Sequence, residues 1–172
     1  ELLTQYNNIV DWNVISKSNN VNWSDELIET FIDKFNWAEL SKNESIPFTE
    51  ELLLKFSKQW SWKHLSCNRN LIKHENFLIA FSENLNWDLI SMSLEDNLST
   101  NFLKETSNIL NWAELSKNKE LNWTMTQLVE FENTLNKSLL GFNPNLPWEE
   151  GLKLNYFDNI YSCYGLFLCD SV

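Results

Sequence analysis

Trp12, Trp37, Trp62, Trp87 and Trp112 stand 25 residues apart. Each is followed three positions later by Ile15, Leu40, Leu65, Ile90 or Leu115, and then by Ser16, Ser41, Ser66, Ser91 or Ser116. A sixth, degenerate copy has Lys137 in the tryptophan place, with Leu140 and Gly141 following. Three further ladders keep the same phase: Trp23, Phe48, Lys73, Leu98, Trp123 and Trp148; Phe31, Phe56, Phe81, Thr106, Phe131 and Tyr156; Phe35, Trp60, Leu85, Leu110, Leu135 and Ile160. No insertion or deletion disturbs them. A fixed period of this length marks a repeat architecture, in which one unit cannot bury its apolar face alone and stacked copies share a continuous core.

Within a unit, the spacing predicts two helices. From Ser24 to Phe35 the apolar residues Leu27, Ile28, Phe31 and Phe35 fall on one face of a 3.6-residue helix. Ser24, Thr49, Ser99 and Thr124 suit its N-cap, and the acidic pairs Asp25–Glu26 and Glu50–Glu51 suit the positive helix end. Trp23 with Ile28, Phe48 with Leu53, Leu98 with Leu103 and Trp123 with Leu128 are placed as hydrophobic staples. This long helix, of about three turns, is expected to stop at a second set of N-cap formers: Asp11, Asn36, Ser61, Asn86, Asn111 and Asn136. A short helix carrying Trp-x-x-Leu-Ser follows. Asn43, Asn68, Asn118 and Asn143 are then expected to adopt a left-handed turn that releases the chain. The fold class is therefore all-α, an α-solenoid of about six units over residues 1–160, starting near 11, 36, 61, 86, 111 and 136. A leucine-rich repeat has a compatible period, but its Leu-x-x-Leu-x-Leu strand is missing.

Glu1, Leu2, Leu3, Tyr6 and Val10 match Glu26, Leu27, Ile28, Phe31 and Phe35 after a shift of 25. Residues 1–10 are thus expected to be the end of an earlier repeat, and the chain a segment of a larger protein. The phase persists to Ile160, and residues 161–172 read as a non-repeat cap or the start of a further segment.

The string Asn36-Trp37-Ala38-Glu39-Leu40-Ser41-Lys42-Asn43, recurring over Asn111 to Asn118, resembles the tandem Trp-x-x-Leu-Ser-x-Asn repeat proteins of bacteria and large DNA viruses. The resemblance covers Asp11 to about Ile160. It implies a repeat array and brings no functional site with it. Lys73 and His74, Lys137 and Thr106 depart from the pattern, and the first two point to an altered loop.

Composition narrows the function. A net charge of −11 opposes extended contact with phosphate backbones and with anionic membrane surfaces. Thirteen Lys and Arg are scattered along the chain. No apolar run reaches 18 residues, so no membrane span is expected. Cys67, Cys163 and Cys169, odd in number and far apart, read as reduced thiols in a cytoplasmic setting.

Chemistry is poorly represented. His64, Cys67 and His74 could supply half of a metal site, but no fourth ligand is near in sequence and zinc sites show tighter spacing. No nucleophile stands with a base, and glycines only at 141, 151 and 165 exclude a phosphate loop. No catalytic residue, metal or cofactor is expected. The tryptophan ladder reads as core and not as a stacking platform, because it keeps phase with leucines and phenylalanines.

What remains is a non-catalytic protein–protein interaction array, with a basic protein as the partner that charge favours. Ligands of solenoids usually meet non-core positions that vary from copy to copy. Here those are Glu26, Thr30 and Asp33; Glu51, Lys55 and Lys58; Asn76, Ala80 and Glu83; Asn101, Glu105 and Asn108. A structural spacer or oligomerisation module is the alternative reading. A nucleic-acid-binding repeat is the third, and the acidic charge opposes it.

Overall fold

In the computed structural model, residues 2–149 are described, apart from Asn7 and Asn97. Tyr156, Ile160 and the expected 161–172 tail lie outside the described residues. Thirteen helices and no strand occur among the described residues. The chain divides into two compact units, 1–86 and 87–172.

The 25-residue period is physical as well as textual. Six helices carry the Trp-x-x-Leu-Ser motif or its degenerate form: Trp12–Lys17, Trp37–Lys42, Trp62–Leu65, Trp87–Ser93, Trp112–Lys117 and Lys137–Leu140. Five others are the second helices of their copies: Asp25–Thr30, Glu50–Lys55, Glu75–Ala80, Thr100–Glu105 and Met125–Glu130. In the first unit, Trp37–Lys42 packs against both Trp12–Lys17 and Trp62–Leu65. In the second, Trp112–Lys117 packs against both Trp87–Ser93 and Lys137–Leu140.

Capping follows the sequence reading at most positions. The hydroxyls of Ser24, Thr49, Ser99 and Thr124 each accept a hydrogen bond from a first-turn N–H, and Gln127 completes a capping box with Thr124. Asp11, Asn36, Asn111 and Asn136 cap the Trp helices in the same way. Ser61 has the extended backbone of a cap, yet its hydroxyl makes no capping bond.

The expected three-turn helix is shorter than its periodicity suggests. Each second helix ends after six residues, and Phe31, Phe56, Phe81, Thr106 and Phe131 follow as C-caps. Their backbones, with φ from −120° to −100° and ψ from 4° to 29°, lie in the sparsely populated bridge region. A tight turn comes next, closed by bonds such as Lys34 N–H to Phe31 O at 2.9 Å and Gln59 N–H to Phe56 O at 2.9 Å. That turn keeps Phe31 and Phe35 directed inward, so the apolar spacing of a helix survives where the helix itself does not.

Ile28, Leu53, Leu78, Leu103 and Leu128 are fully buried at one phase of the repeat, and Leu40, Leu65, Ile90, Leu115 and Leu140 at another. Removing each such side chain from water contributes about 1.5–3 kcal/mol. Another ladder, not apparent from the motif, runs through Ile46, Leu71, Leu121 and Leu146, all buried. In the fourth copy its place falls to Asp96, which is exposed and has φ 60°, a left-handed conformation that aspartate tolerates. Leu94, two residues earlier, is buried in that copy instead. The third copy departs too: an extra helix, Arg69–Ile72, replaces the extended loop around Lys73 and buries Leu71 and Ile72.

Candidate functional site

The most regular chemistry lies between successive copies. Ser16, Ser41, Ser66, Ser91 and Ser116 are fully buried. Each hydroxyl donates to the carbonyl of its own motif tryptophan at 2.6–2.7 Å. It also accepts the N–H of the residue just before the next Trp helix, at 2.8–3.0 Å. A hydroxyl is the smallest side chain that can both donate and accept, which is why serine and not alanine recurs.

The asparagine ladder does similar work, and here the sequence expectation is overturned. Asn43, Asn68 and Asn118 have extended backbones with φ between −79° and −70°, not left-handed ones. Asp96 is the one non-glycine residue with positive φ among those described. The asparagines are instead buried and reach back to the copy before them. Asn43 Nδ2 donates to Ser16 O at 3.0 Å and Ser18 O at 3.1 Å. Asn68 Nδ2 donates to Ser41 O at 2.9 Å. Asn118 Nδ2 reaches Leu94 O at 2.8 Å, and Asn143 Nδ2 reaches Asn118 O and Leu121 O, both at 2.9 Å. Their Oδ1 atoms accept the N–H groups of Ser45, Asn70, Glu120 and Asn145, two residues on. One amide thus satisfies backbone groups of two copies that burial would otherwise leave unpaired.

The motif tryptophans are half-buried, not enclosed. Trp12, Trp37, Trp62 and Trp112 lie against Phe31, Phe56, Phe81 and Phe131, with centroids 4.8–5.5 Å apart. Each pair joins a Trp helix to the second helix 19 residues later. Indole N–H groups of Trp37, Trp62 and Trp112 donate to Ile32 O, Ser57 O and Ser107 O at 2.9–3.0 Å. Where Thr106 replaces phenylalanine, Trp87 stacks with Phe102 at 6.3 Å, and Thr106 donates its hydroxyl to Phe102 O.

All the sequence-selected surface residues, namely Glu26, Thr30, Asp33, Glu51, Lys55, Lys58, Asn76, Ala80, Glu83, Asn101, Glu105 and Asn108, are exposed. They do not share one helical face. Glu26, Glu51, Asn76 and Asn101 lie in the first turns of the second helices, and Thr30, Lys55, Ala80 and Glu105 at their last residues. Asp33, Lys58, Glu83 and Asn108 lie in the turns beyond, because the helices stop short of them. Lys55 pairs with Glu29 of the preceding copy at 2.8 Å, and Lys104 with Glu130 of the following one at 2.7 Å. Asn101 donates to Glu105 at 2.7 Å.

A second variable surface escaped the sequence reading. On the outer side of the Trp helices, positions three apart read Val14 and Lys17, Glu39 and Lys42, His64 and Cys67, Leu89 and Met92, Glu114 and Lys117, Leu139 and Phe142. Glu39 with Lys42 and Glu114 with Lys117 are ion pairs at 2.9 Å and 2.7 Å. The hydrogen bond from Lys42, opposed by desolvation and aided by the charges of Lys42, Lys17 and His64, holds the Glu39 carboxyl below its ordinary value. Lys17, Asn19, Glu39, Lys42, Asn43 and Glu44 line a shallow polar cleft between the first two copies. The motif's invariance drew attention to what is constant, while these positions signal by varying.

Cys67 is an exposed free thiol, and His74 lies against Phe77 at 5.2 Å. No group of three His, Cys, Asp or Glu side chains that could hold a metal occurs among the described residues. No helix among them is long and apolar enough to cross a membrane. Compared with protein-family models, characterised proteins and solved structures, the chain gives no match.

Proposed function

We propose that this chain is an α-solenoid that binds another protein without catalysis, in a cytoplasmic setting and without nucleic acid or membrane as partner. The observation that carries the reading is a division of labour within the copy. Buried serine, asparagine and leucine positions are nearly constant, while exposed positions 25 residues apart differ in charge and size. Glu26, Glu51, Asn76 and Asn101 form one such series; Asp33, Lys58, Glu83 and Asn108 another. Constancy inside with variety outside is how repeat arrays present a surface. The net charge of −11 favours a basic partner, through complementarity that governs encounter and orientation.

Isothermal titration with a lysine-rich peptide, at low and at physiological salt, tests this reading. The parent chain is expected to bind, and the triple variant Glu26→Lys, Asp33→Lys, Glu83→Lys to bind several-fold more weakly with an unchanged circular dichroism spectrum. Equal binding by both proteins would contradict the assignment of the surface.

A further inference from the structure

The Trp helices of the second and fifth copies share one sequence, Trp-Ala-Glu-Leu-Ser-Lys, and one internal ion pair, but not one setting. The charges of Lys17 and His64, from the copies on either side, act on the Glu39 carboxyl. Beside Glu114, the equivalents of those two residues three copies on are Met92 and Leu139. Trp112–Lys117 packs against both Trp87–Ser93 and Lys137–Leu140, within one compact unit. Met92, Lys117 and Phe142 hold the same phase in these three copies and are exposed. Leu89, Glu114 and Leu139, three positions earlier, are half-buried. The result is a strip with an ion pair in the middle and large apolar side chains at either end. Glu114 Oε1 holds the Lys117 ammonium at 2.7 Å. Glu114 Oε2 is buried and has no hydrogen-bond partner among the described residues. A carboxylate oxygen kept from water without a donor is costly, and a donor brought from outside would remove that cost.

We propose that this strip docks an amphipathic helix of another protein, one that carries an arginine between two apolar anchors. The arginine takes the place of Lys117 on Glu114, and the anchors lie against Leu89 with Met92 and against Leu139 with Phe142. Lysine offers a carboxylate a point charge, whereas a guanidinium is a planar fork that matches both oxygens. The Lys117 side chain is 48% exposed, so it has water to turn into when the arginine arrives. The spacing suits a helix laid across the three copies, since packed helices lie about 8–10 Å apart and one heptad rises about 10 Å. The inference rests on the protein-binding reading above and names the partner's chemistry, through residues other than Glu26, Asp33 and Glu83.

Fluorescence anisotropy of two labelled helical peptides, titrated with the whole chain, tests this. Both have an alanine and glutamine background with leucine pairs one heptad to either side of a central residue, which is arginine in one and glutamine in the other. The parent chain is expected to bind the arginine peptide about tenfold more tightly. Glu114→Gln is expected to remove that preference, and Glu39→Gln, in the same helix sequence but polar surroundings, to leave it. Lys117→Ala, which takes away the competing ammonium, is expected to enlarge it. Met92→Gln with Phe142→Gln is expected to weaken both peptides with an unchanged circular dichroism spectrum, because both side chains are exposed. Equal affinity for the two peptides, or the same preference in Glu114→Gln, would overturn the role of Glu114. Binding of neither peptide, with the lysine-rich peptide still bound, would overturn the docking strip and leave the broader reading standing. Binding of none of the three would overturn both.

Discussion

Asn68 shows how much a single side chain does in this molecule. Its amide donates to Ser41 O, and its Oδ1 accepts the N–H groups of Asn70 and Leu71. Truncation would leave buried backbone groups unpaired on two copies at once. Asn68→Ala is expected to lower unfolding stability by about 1–3 kcal/mol in urea titrations, against a few tenths for the exposed Asn76→Ala. A near-zero effect would mean that water replaces the amide freely. Trp123 offers the opposite experiment. Trp23 donates its indole N–H to Ser45 Oγ at 3.1 Å and to Ser18 O at 3.3 Å. One hundred residues later, Asn145 stands in the place of Ser45, and the buried Trp123 Nε1 has no hydrogen-bond partner among the described residues. Restoring the hydroxyl with Asn145→Ser is expected to stabilise the fold by about 1 kcal/mol. An unchanged denaturation midpoint would show that Asn145 is not the cause.

At the scale of elements, short helices hold together because neighbouring copies complete them. A six-residue helix is far below the length that is stable alone, so packing and caps supply what propensity does not. The aromatic contacts between Trp helices and second helices belong to that packing. The fourth copy tests whether they are interchangeable, since Phe102 there stacks on Trp87 in place of a phenylalanine at 106. Thr106→Phe alone is expected to overpack the copy and cost about 1–3 kcal/mol. Combined with Phe102→Leu it should cost less than the sum of the two single changes, by about 0.5 kcal/mol or more. Strict additivity in thermal unfolding would sever the link.

Much of this level was legible in the sequence. Ser24, Thr49, Ser99 and Thr124 cap as their residue types suggest, and the leucine ladders are buried as their phase requires. Two features were not legible, for physical reasons. The turn after Phe31 keeps the i, i+4 spacing of a helix, so periodicity alone extends the second helix too far and places Asp33 on it. Asparagine after a helix serves equally as a left-handed cap or as a buried donor, and only the position of the preceding copy decides between them. The candidate surface was legible as a set of variable phases, whereas the outer positions of the Trp helices, from Val14 and Lys17 onward, were hidden beside an invariant motif.

For the whole molecule, the copy and not the residue is the unit of folding. Deleting residues 36–60 removes one complete copy and brings Ser16 into the phase of Ser61 and Asn68. Ser16 Oγ would then accept the Ser61 N–H, as it now accepts that of Asn36. Asn68 would find the carbonyls of Ser16 and Ser18, to which Asn43 now donates. Deleting 36–55 instead shifts every ladder by five positions and leaves those groups without partners. Urea unfolding of the two deletion variants, followed by far-ultraviolet circular dichroism, is the most direct measurement of this claim. The 36–60 deletion is expected to keep the helical signal per residue and to unfold cooperatively at a somewhat lower midpoint, while the 36–55 deletion loses both signal and cooperativity. Equal damage in the two variants would contradict the claim that a 25-residue copy, joined to the next through its serine and asparagine, is what this sequence specifies.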